Sequence, residues 1–301
     1  MIFNNFKINA MIQRREFLIN ASLALGALAI APSFAYNAKK RNIGLQLYSL
    51  RASLPKDVKG VLSQVGKAGF SEVETYGFSI KNGFFGTNVK DFKAMLTDNG
   101  LSATSNHFDF NSYLETGSTE IIKAYIDTAN TLESNYVTVP WISEKLRGTT
   151  ADDYKKLADK VTQAAELCKT AGLKLAYHNH EFEFEEFGDT TGYEILLNNT
   201  DKNIVDFELD LYWVVRSGNE PMQLFKKYPG RFTMWHVKDM DKINQDLNTE
   251  IGKGAIDFKS IFAEAKLSGM KHFYIEHETN YYPNPIESVT ESCSYVRKNL
   301  L

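Results

Sequence analysis

The stretch LKLAYHNHEF at residues 173–182 decides the fold. It begins as a short apolar strand and ends with two imidazoles, an amide and a carboxylate. Side chains alternate between the faces of a β-strand, so Ala176, His178 and His180 share one face. A pair of histidines also occurs on surfaces and in packed cores, so this stretch needs support from the rest of the chain before it indicates a site.

Three later apolar segments end in the same kind of side chain. Residues 207–210 (FELD) end in a carboxylate, residues 232–236 (FTMWH) in an imidazole, and residues 273–277 (FYIEH) in a carboxylate and an imidazole. Only a parallel barrel or sheet brings the carboxyl ends of four consecutive strands to one place. The pattern therefore favours a shared metal or sugar site.

Strand-like and helix-like segments alternate regularly after residue 42. The longest predicted helix has Thr150 as its N-cap and Gly172 as its stop. The alternation predicts an α/β fold, a single (β/α)8 TIM barrel rather than an open sheet. The predicted strands are 42–50, 72–76, 101–107, 136–140, 173–178, 204–210, 232–237 and 273–276, and the predicted helices are 57–68, 88–99, 118–132, 150–171, 192–199, 221–228, 258–268 and 285–299.

Composition sets limits on the function. The chain has 301 residues, of which 43% are hydrophobic and 24% charged, and its net charge is −3. That length holds one barrel of roughly 250 residues plus an extension. Nucleic-acid binding usually needs a basic face, so we expect no nucleic-acid partner. Cys168 and Cys293 lie in different predicted helices and are expected to be packing thiols, with a disulfide as the alternative.

The first residues resemble an export signal rather than part of the fold. Two arginines, Arg14 and Arg15, precede an apolar run at residues 21–30, and Ser33 and Ala35 supply the small residues of a cleavage site. The run is short for a membrane span. We predict a twin-arginine signal at residues 1–36, a barrel domain at 37–301, a periplasmic or cell-envelope location and no membrane span after cleavage. An uncleaved anchor is the alternative.

Several short motifs then resemble one known family. Residues 44–51 (GLQLYSLR) and 70–74 (FSEVE) are similar to its first two strands, and residues 251–258 (IGKGAIDF) to its segment after strand seven. The family is the xylose isomerase-like sugar phosphate isomerases and epimerases. The resemblance covers nearly the whole chain after residue 43, and it implies a TIM barrel that acts on a small carbohydrate. A second copy of the chain, forming a homodimer, is a further candidate partner.

The resemblance also implies one divalent metal ion at the carboxyl ends of strands five to eight. The family's usual ligands are Glu, Asp, His and Glu. Asp210, His236 and Glu276 match the last three, and His178 stands where the first carboxylate would be. Two imidazoles and two carboxylates suit manganese, cobalt, zinc or iron better than magnesium, which prefers oxygen ligands.

The implied activity is isomerisation or epimerisation through an enediolate. Glu276 is the expected base, Lys238 the expected stabiliser of the enediolate, and His178 a catalytic residue as well as a ligand. Because His178 replaces a carboxylate, a histidine or Glu181 would have to act on the opposite face of the substrate. The expected substrate contacts are Glu74, His107, His180, Glu181 and Trp213.

Other interpretations of the same residues stay open. Some relatives cleave 3-keto-glycosides by β-elimination, which makes a lyase or dehydratase the first alternative, and a non-catalytic periplasmic sugar-binding barrel is the second. An exported enzyme rarely meets sugar phosphates, so a free sugar, keto sugar or glycoside is expected. The zinc-dependent endonucleases of the same fold are disfavoured, because Trp213 stands in place of one of their metal-binding histidines. The glutamates Glu183, Glu185 and Glu186 are expected in a solvated loop, and His272 is expected at the far end of the barrel without a role.

The export signal gives a first test. Replacing Arg14 and Arg15 together by lysine should trap the precursor inside the cell, because the paired arginines are the recognised feature. Cell fractionation with an antibody would show the wild-type protein outside the cytoplasm, with a mature chain that begins near Tyr36. Normal export of the double variant would refute the twin-arginine assignment.

Overall fold

Eight parallel strands form a closed barrel in the computed structural model, which describes residues 42–301. Each strand pairs with its neighbours in chain order and the last pairs with the first, so the predicted (β/α)8 TIM barrel is confirmed. The predicted export signal lies outside the described residues. The barrel strands, numbered β1 to β8, are Gly44–Gln46, Glu72–Thr75, Ser102–His107, Tyr136–Val139, Lys174–His178, Val205–Asp210, Met234–Val237 and His272–Ile275.

Helices follow the strands and cover the outside of the barrel. The long helix predicted at 150–171 is present, and the Thr150 side chain accepts a hydrogen bond from the Asp153 N–H as its N-cap. The helix predicted at 258–268 is interrupted at Glu264. The helices, α1 to α11, are Val58–Lys67, Val89–Asp98, Asn111–Thr116, Glu120–Leu132, Ala151–Thr170, Gly192–Asn199, Leu211–Arg216, Pro221–Lys227, Phe258–Ala263, Ala265–Ser268 and Pro285–Asn299. Within residues 42–301, none of these helices has the length and apolar character needed to cross a membrane.

The first strand is shorter than predicted. The segment expected to be strand over 42–50 is extended only at Gly44–Gln46 and continues as a 3-10 helix at Leu47–Leu50. The side chain of Gln46 accepts a hydrogen bond from the Tyr48 N–H and caps this helix. The chain therefore bends at the rim of the barrel, directly beside the end of β2.

Side chains alternate between the two faces of each strand, so the barrel has one apolar core between strands and helices and another inside the barrel. Outward-facing residues such as Leu209 and Val237 join the main apolar core against the helices. Inward-facing Tyr136, Ala176, Met234 and Tyr274 form a separate apolar layer across the barrel. Since this layer plugs the barrel, the polar side chains beyond it at the carboxyl ends face a closed floor.

Ion pairs occupy the amino end of the barrel. His272 Nδ1 lies 2.8 Å from Glu72 Oε2, and both residues begin their strands. His272 is thus at the end of the barrel away from the strand carboxyl ends, as predicted, and pairs with a carboxylate there. Cys168 and Cys293 are buried and form no disulfide, which agrees with the expectation of packing thiols.

The glycine-rich segment after β7 is organised by one carboxylate. Asp239 accepts hydrogen bonds from the N–H groups of Gly252, Gly254 and Ile256 at 2.9, 3.0 and 3.2 Å. A Cβ on Gly254 would lie 2.1 Å from Asp239 Oδ1, so only glycine allows this approach. The clamp fixes the backbone next to Lys238.

A glycine inside the barrel gives a prediction about stability. An added Cβ at Gly44 would lie 2.4 Å from Tyr274 Cδ1 and 2.7 Å from the Phe273 carbonyl oxygen. Gly44→Ala should therefore lower the free energy of unfolding by about 1–3 kcal/mol, the usual cost of overpacking. Urea unfolding measures it. Gly172→Asn is the control, because its left-handed backbone is open to solvent and asparagine tolerates that conformation; equal losses in both variants would contradict the packing argument.

Candidate metal centre and active site

Four carboxylates point into the carboxyl end of the barrel. Glu208 and Asp210 alternate with the outward-facing Leu209 on β6, so both face inward, while Glu74 is the last residue but one of β2 and Glu276 follows β8. All four are buried. Burying several carboxylates together is costly unless positive charge compensates them. The side chains around them therefore decide what this site can do.

Three imidazoles lie between these carboxylates. His236 Nε2 lies 2.6 Å from Glu74 Oε2, while its Nδ1 lies 3.0 Å from Glu276 Oε2 and 3.9 Å from Asp210 Oδ2. His107 Nε2 lies 3.0 Å from Glu74 Oε2 and 2.8 Å from Glu208 Oε2. His107 thus links Glu74 and Glu208, which we call the lower carboxylates. His236 reaches from Glu74 to Asp210 and Glu276, which we call the upper carboxylates.

His178, like His236, lies between a lower and an upper carboxylate. Its Nδ1 lies 3.2 Å from Glu208 Oε2, and its Nε2 lies 4.0 Å from Asp210 Oδ2. The ring centroids of His178 and His236 are 4.4 Å apart. Each of these two imidazoles therefore has one nitrogen near a lower carboxylate and the other near an upper carboxylate.

Lys238 brings a permanent positive charge to the upper carboxylates. Its Nζ lies 3.3 Å from Glu276 Oε2 and 3.7 Å from Asp210 Oδ2, and it also pairs with Glu278. The side chain is only 2% exposed. Lys238 is therefore part of the buried site and not a solvated loop residue.

Neighbouring polar groups hold the carboxylates in place. Gln46 Nε2 donates to Glu74 Oε2 at 2.6 Å, and Ser105 Oγ donates to Glu74 Oε1 at 2.6 Å. Asn179 Oδ1 accepts from the Asp210 N–H at 3.0 Å, which ties the end of β5 to the end of β6. The Asp210 side chain also caps α7 by accepting from the Tyr212 N–H at 2.8 Å. That contact uses Oδ1 and leaves Oδ2 facing the site.

The charges follow from these contacts. Burial alone would raise the pKa of Glu74 and Glu276, but the nearby imidazoles, and for Glu276 first Lys238, hold both values well below the usual range. Burial and the charge on Glu74 raise the pKa of Glu208 to about 7, and burial raises the pKa of Asp210 to about 6. Glu208 and Asp210 are thus the two carboxylates whose ionised forms lack compensation.

The histidines also differ in the direction of their pKa shifts. Burial opposes the charged form of His107, but Glu74 and Glu208 raise its pKa to about 9. Burial, with a smaller contribution from His236, lowers the pKa of His178 well below its ordinary value, and burial lowers the pKa of His180 to about 3. His178 and His180 are therefore neutral imidazoles near pH 7, the form that binds metals.

The donor atoms fit a divalent cation. Asp210 Oδ2, Glu208 Oε1 and His178 Nδ1 are buried without hydrogen-bond partners. Buried polar atoms of this kind are rare and usually mark a missing ligand, ion or water. Two groups of side chains have donor atoms close enough to share one ion: Asp210, His236 and Glu276; and His107, His178, Glu208 and His236. Together these groups suggest a divalent metal site at the barrel mouth.

The structure places the predicted residues as follows. Asp210, His236 and Glu276 lie together, and His178 adjoins them through Nε2. His107 and His180 line the central pocket, a cavity at the carboxyl end of the barrel. Glu74 is not part of the pocket lining and is hydrogen-bonded to His236. Glu181 is exposed and lines a neighbouring cleft with Trp213, outside the lining of the central pocket.

One expectation was wrong. Glu183 was expected in a solvated loop, but it is fully buried, and its oxygens accept from the Tyr177 hydroxyl and the His180 N–H, both at 2.8 Å. Burial raises the pKa of Glu183 to about 7. The carboxylate turns back under a 3-10 helix, Phe182–Phe184, and fixes the segment that carries His180.

Sequence analysis also missed Glu208 and Gln46. Glu208 is two residues before Asp210, and the two-residue period of a strand places both on the same face, so the spacing could have identified it. Gln46 carried no comparable pattern, because its role depends on β1 meeting β2.

The central pocket is open above these groups and has a volume of about 490 Å³. Its floor includes His107, His178 and Glu276, and Tyr48 and Trp141 stand at its rim. Tyr48 and Trp141 are 38% and 43% exposed. A polar floor with aromatic walls suits a polyhydroxylated ligand, whose ring face packs on aromatic side chains.

Comparisons with known proteins show which family the chain resembles. Residues 62–299 match a family model described as xylose isomerase-like TIM barrel. An inosose dehydratase from Clostridium perfringens is 26% identical over 165 residues, which cover 49% of this chain and 55% of that protein. The chain thus spans about half the length of the curated relatives it matches.

Solved structures extend the likeness along the chain. A sugar phosphate isomerase/epimerase from Parabacteroides distasonis is 29% identical with a TM-score of 0.77, over 88% of this chain and 96% of that one. The IOLI protein with a bound zinc atom is 17% identical with a TM-score of 0.67, over 86% of this chain and 99% of that one. The likeness to the IOLI protein shows that the two proteins share a fold.

The metal site gives a direct prediction. Asp210→Asn keeps the oxygen that caps α7 and removes the charge that faces the ion, so metal affinity should fall at least about a hundredfold, since even outer-shell partners are worth about 10- to 100-fold. Titration with Zn²⁺ and elemental analysis measure the loss, and thermal melting checks the fold. Asp206→Asn, which changes a buried carboxylate at the other end of the same strand, should keep the metal. Full metal occupancy in Asp210→Asn would show that the site is misplaced.

Proposed function

Since the chain belongs to the xylose isomerase-like TIM barrel family, we propose that it is a divalent-metal-dependent enzyme that removes the proton beside the carbonyl group of a keto sugar. The observation that carries this proposal is the position of Glu276. This carboxylate lines the pocket, and its Oε2 contacts the buried side chains of His236 and Lys238. A carboxylate beside a fixed positive charge is the arrangement needed to take up a proton while negative charge develops nearby.

The protein's own groups divide the work. Glu276 uses Oε2 for its contacts with His236 and Lys238, which leaves Oε1 for the substrate proton. Burial opposes the charge on Lys238, but Glu276, Glu278 and Asp210 raise its pKa, so the ammonium group stays protonated and can stabilise an oxyanion. A divalent cation held by Asp210, His236 and Glu276, with His178 as a fourth candidate ligand, would polarise the carbonyl and acidify the neighbouring C–H bond. The mixed nitrogen and oxygen donors favour manganese, cobalt, zinc or iron over magnesium.

The asymmetry of the pocket favours elimination. Two-base epimerisation needs a second proton-transfer group on the opposite face of the reacting carbon. The β5 side of the pocket offers His178 and His180, and a pKa of about 3 makes His180 a weak base. Loss of a β-substituent needs a single group, since the carboxyl that has taken the proton can return it to the leaving oxygen. We therefore favour a lyase or dehydratase that acts on a keto sugar or keto-glycoside, and the likeness to inosose dehydratases supports this choice.

Isomerisation or epimerisation is the second candidate. The likeness to the Parabacteroides distasonis protein supports it, and the neutral imidazoles on β5 could carry a proton to the second face. The pattern of an export signal before the barrel favours a free sugar or glycoside over a sugar phosphate in either case.

The reaction can be tested with Glu276→Gln. The zinc- or manganese-loaded protein is incubated in deuterated water with inosose, D-tagatose, D-fructose and a methyl 3-keto-glucoside, and NMR follows exchange beside the carbonyl and identifies the product. The wild-type protein should exchange the proton of at least one compound. Glu276→Gln should lower that rate at least about a hundredfold, the usual scale of general-base removal.

Glu181→Gln is the matched control, because it changes an exposed carboxylate in the neighbouring cleft. It should leave the exchange rate nearly unchanged. If Glu276→Gln keeps its rate while His180→Asn or Glu181→Gln abolishes exchange, the base lies in the segment that follows β5 and the mechanism is reversed. If none of the metal-loaded samples exchanges a proton, the sugar-binding alternative gains support.

A further inference from the structure

Two carboxylates lie beneath the candidate metal site, away from the pocket opening. Glu74 and Glu208 are both fully buried and neither lines the pocket, and Glu208 lies one inward-facing position before Asp210 on β6. Neither belongs to the group formed by Asp210, His236 and Glu276, whereas Glu208 belongs to the second group with His107, His178 and His236. Burying a carboxylate lowers the stability of the fold by several kcal/mol unless the group makes strong contacts, so these two side chains require such partners.

Each carboxylate meets the lower nitrogen of one imidazole. Glu74 Oε2 lies 2.6 Å from His236 Nε2, and the opposite nitrogen of that ring faces Asp210 and Glu276. Glu208 Oε2 lies 3.2 Å from His178 Nδ1, a close contact without hydrogen-bond geometry, and the opposite nitrogen of that ring lies 4.0 Å from Asp210 Oδ2. An ionised carboxylate only accepts hydrogen bonds, so a ring nitrogen that is hydrogen-bonded to one carries a proton. Nδ1 of His236 also contacts a carboxylate, Glu276 Oε2 at 3.0 Å, so a cation held by Asp210 and Glu276 would replace the proton on Nδ1 and leave the one on Nε2 beside Glu74.

His107 joins the two carboxylates into one unit. Its Nε2 lies within 3.0 Å of Glu74 Oε2 and 2.8 Å of Glu208 Oε2. Gln46 donates to Glu74 and also lies 3.2 Å from His107 Nδ1. Movement of either carboxylate therefore disturbs contacts made by the other.

We propose that Glu74 and Glu208 are positioning residues, which fix the proton on the lower nitrogens of His236 and His178 and so direct the upper nitrogens of both rings to one divalent cation. Metal-bound histidines commonly donate their second ring nitrogen to a carboxylate, which sets the tautomer and strengthens the ligand. The inference rests on the metal of the proposed function and adds the part of the chain that prepares its ligands. It also gives His107 the role of a link between two carboxylates.

The test uses the full-length protein and Zn²⁺ as the probe. Glu74→Gln and Glu208→Gln keep the size of the side chain and remove its charge. Each should weaken Zn²⁺ binding by about 10- to 100-fold, the usual effect of an outer-shell partner. Glu72→Gln is the control, because it changes a buried carboxylate of the same barrel at the amino end, and it should bind Zn²⁺ as the wild-type protein does.

Two spectroscopic measurements separate positioning from a merely structural role. Nitrogen NMR of the zinc-loaded wild-type protein should show a proton on His236 Nε2 and on His178 Nδ1. X-ray absorption at the zinc edge should show the same first coordination shell in Glu208→Gln as in the wild-type protein, because Glu208 is not a ligand in this account. Glu208→Asp, which keeps the charge, should recover part of the lost affinity.

The outcomes distinguish this inference from the proposed function. Wild-type affinity in both glutamine variants, opposite tautomers, or loss of an oxygen ligand in Glu208→Gln would each overturn the positioning role. If the wild-type protein binds Zn²⁺ and Asp210→Asn does not, the metal site stands even when this inference fails. If the wild-type protein binds no Zn²⁺, Mn²⁺ or Co²⁺, the metal-dependent function fails with it. If a glutamine variant does not fold, the tautomers and the coordination shell of the wild-type protein still decide.

Discussion

The site depends on the balance of charge around four buried carboxylates. Within residues 42–301, Lys238 is the only lysine or arginine that forms an ion pair with Glu74, Glu208, Asp210 or Glu276, and it reaches the last two. Protons on imidazoles, or a bound cation, must supply the rest, because uncompensated charge is too costly in a dry interior. A divalent cation would meet that need at the place where donor atoms such as Asp210 Oδ2 have no partner.

The barrel makes this concentration of charge possible. An apolar layer that includes Tyr136 and Tyr274 closes the interior below it, and the parallel direction of the strands brings their functional side chains to the same rim. Rigid contacts then hold the strand ends in register, among them Asn179 on the Asp210 backbone and Asp239 on the glycine-rich segment. The same framework that excludes water below the site also leaves a pocket above it that is large enough for a sugar.

Local patterns in the sequence carried most of the fold and half of the site. The regular alternation of strand-like and helix-like segments predicted the barrel, helix caps predicted helices such as Ala151–Thr170, and strand ends identified Asp210, His236 and Glu276. The burial of individual side chains could not be predicted from such local patterns. Glu183 stands in a run of acidic residues, a pattern typical of solvated loops, yet tertiary contacts with Tyr177 bury it. The pairing of charges across the barrel, which joins strands far apart in sequence, could not be read from any one strand.

The most direct measurement of the central claim is a crystal structure of the zinc-loaded protein with diffraction data collected on both sides of the zinc absorption edge. The account predicts one anomalous peak within coordination distance of Asp210 Oδ2, His236 Nδ1 and a Glu276 oxygen, with Glu74 and Glu208 outside the first shell. A structure at full zinc concentration with no peak there, in which the Lys238 ammonium alone pairs with Asp210 and Glu276, would contradict it.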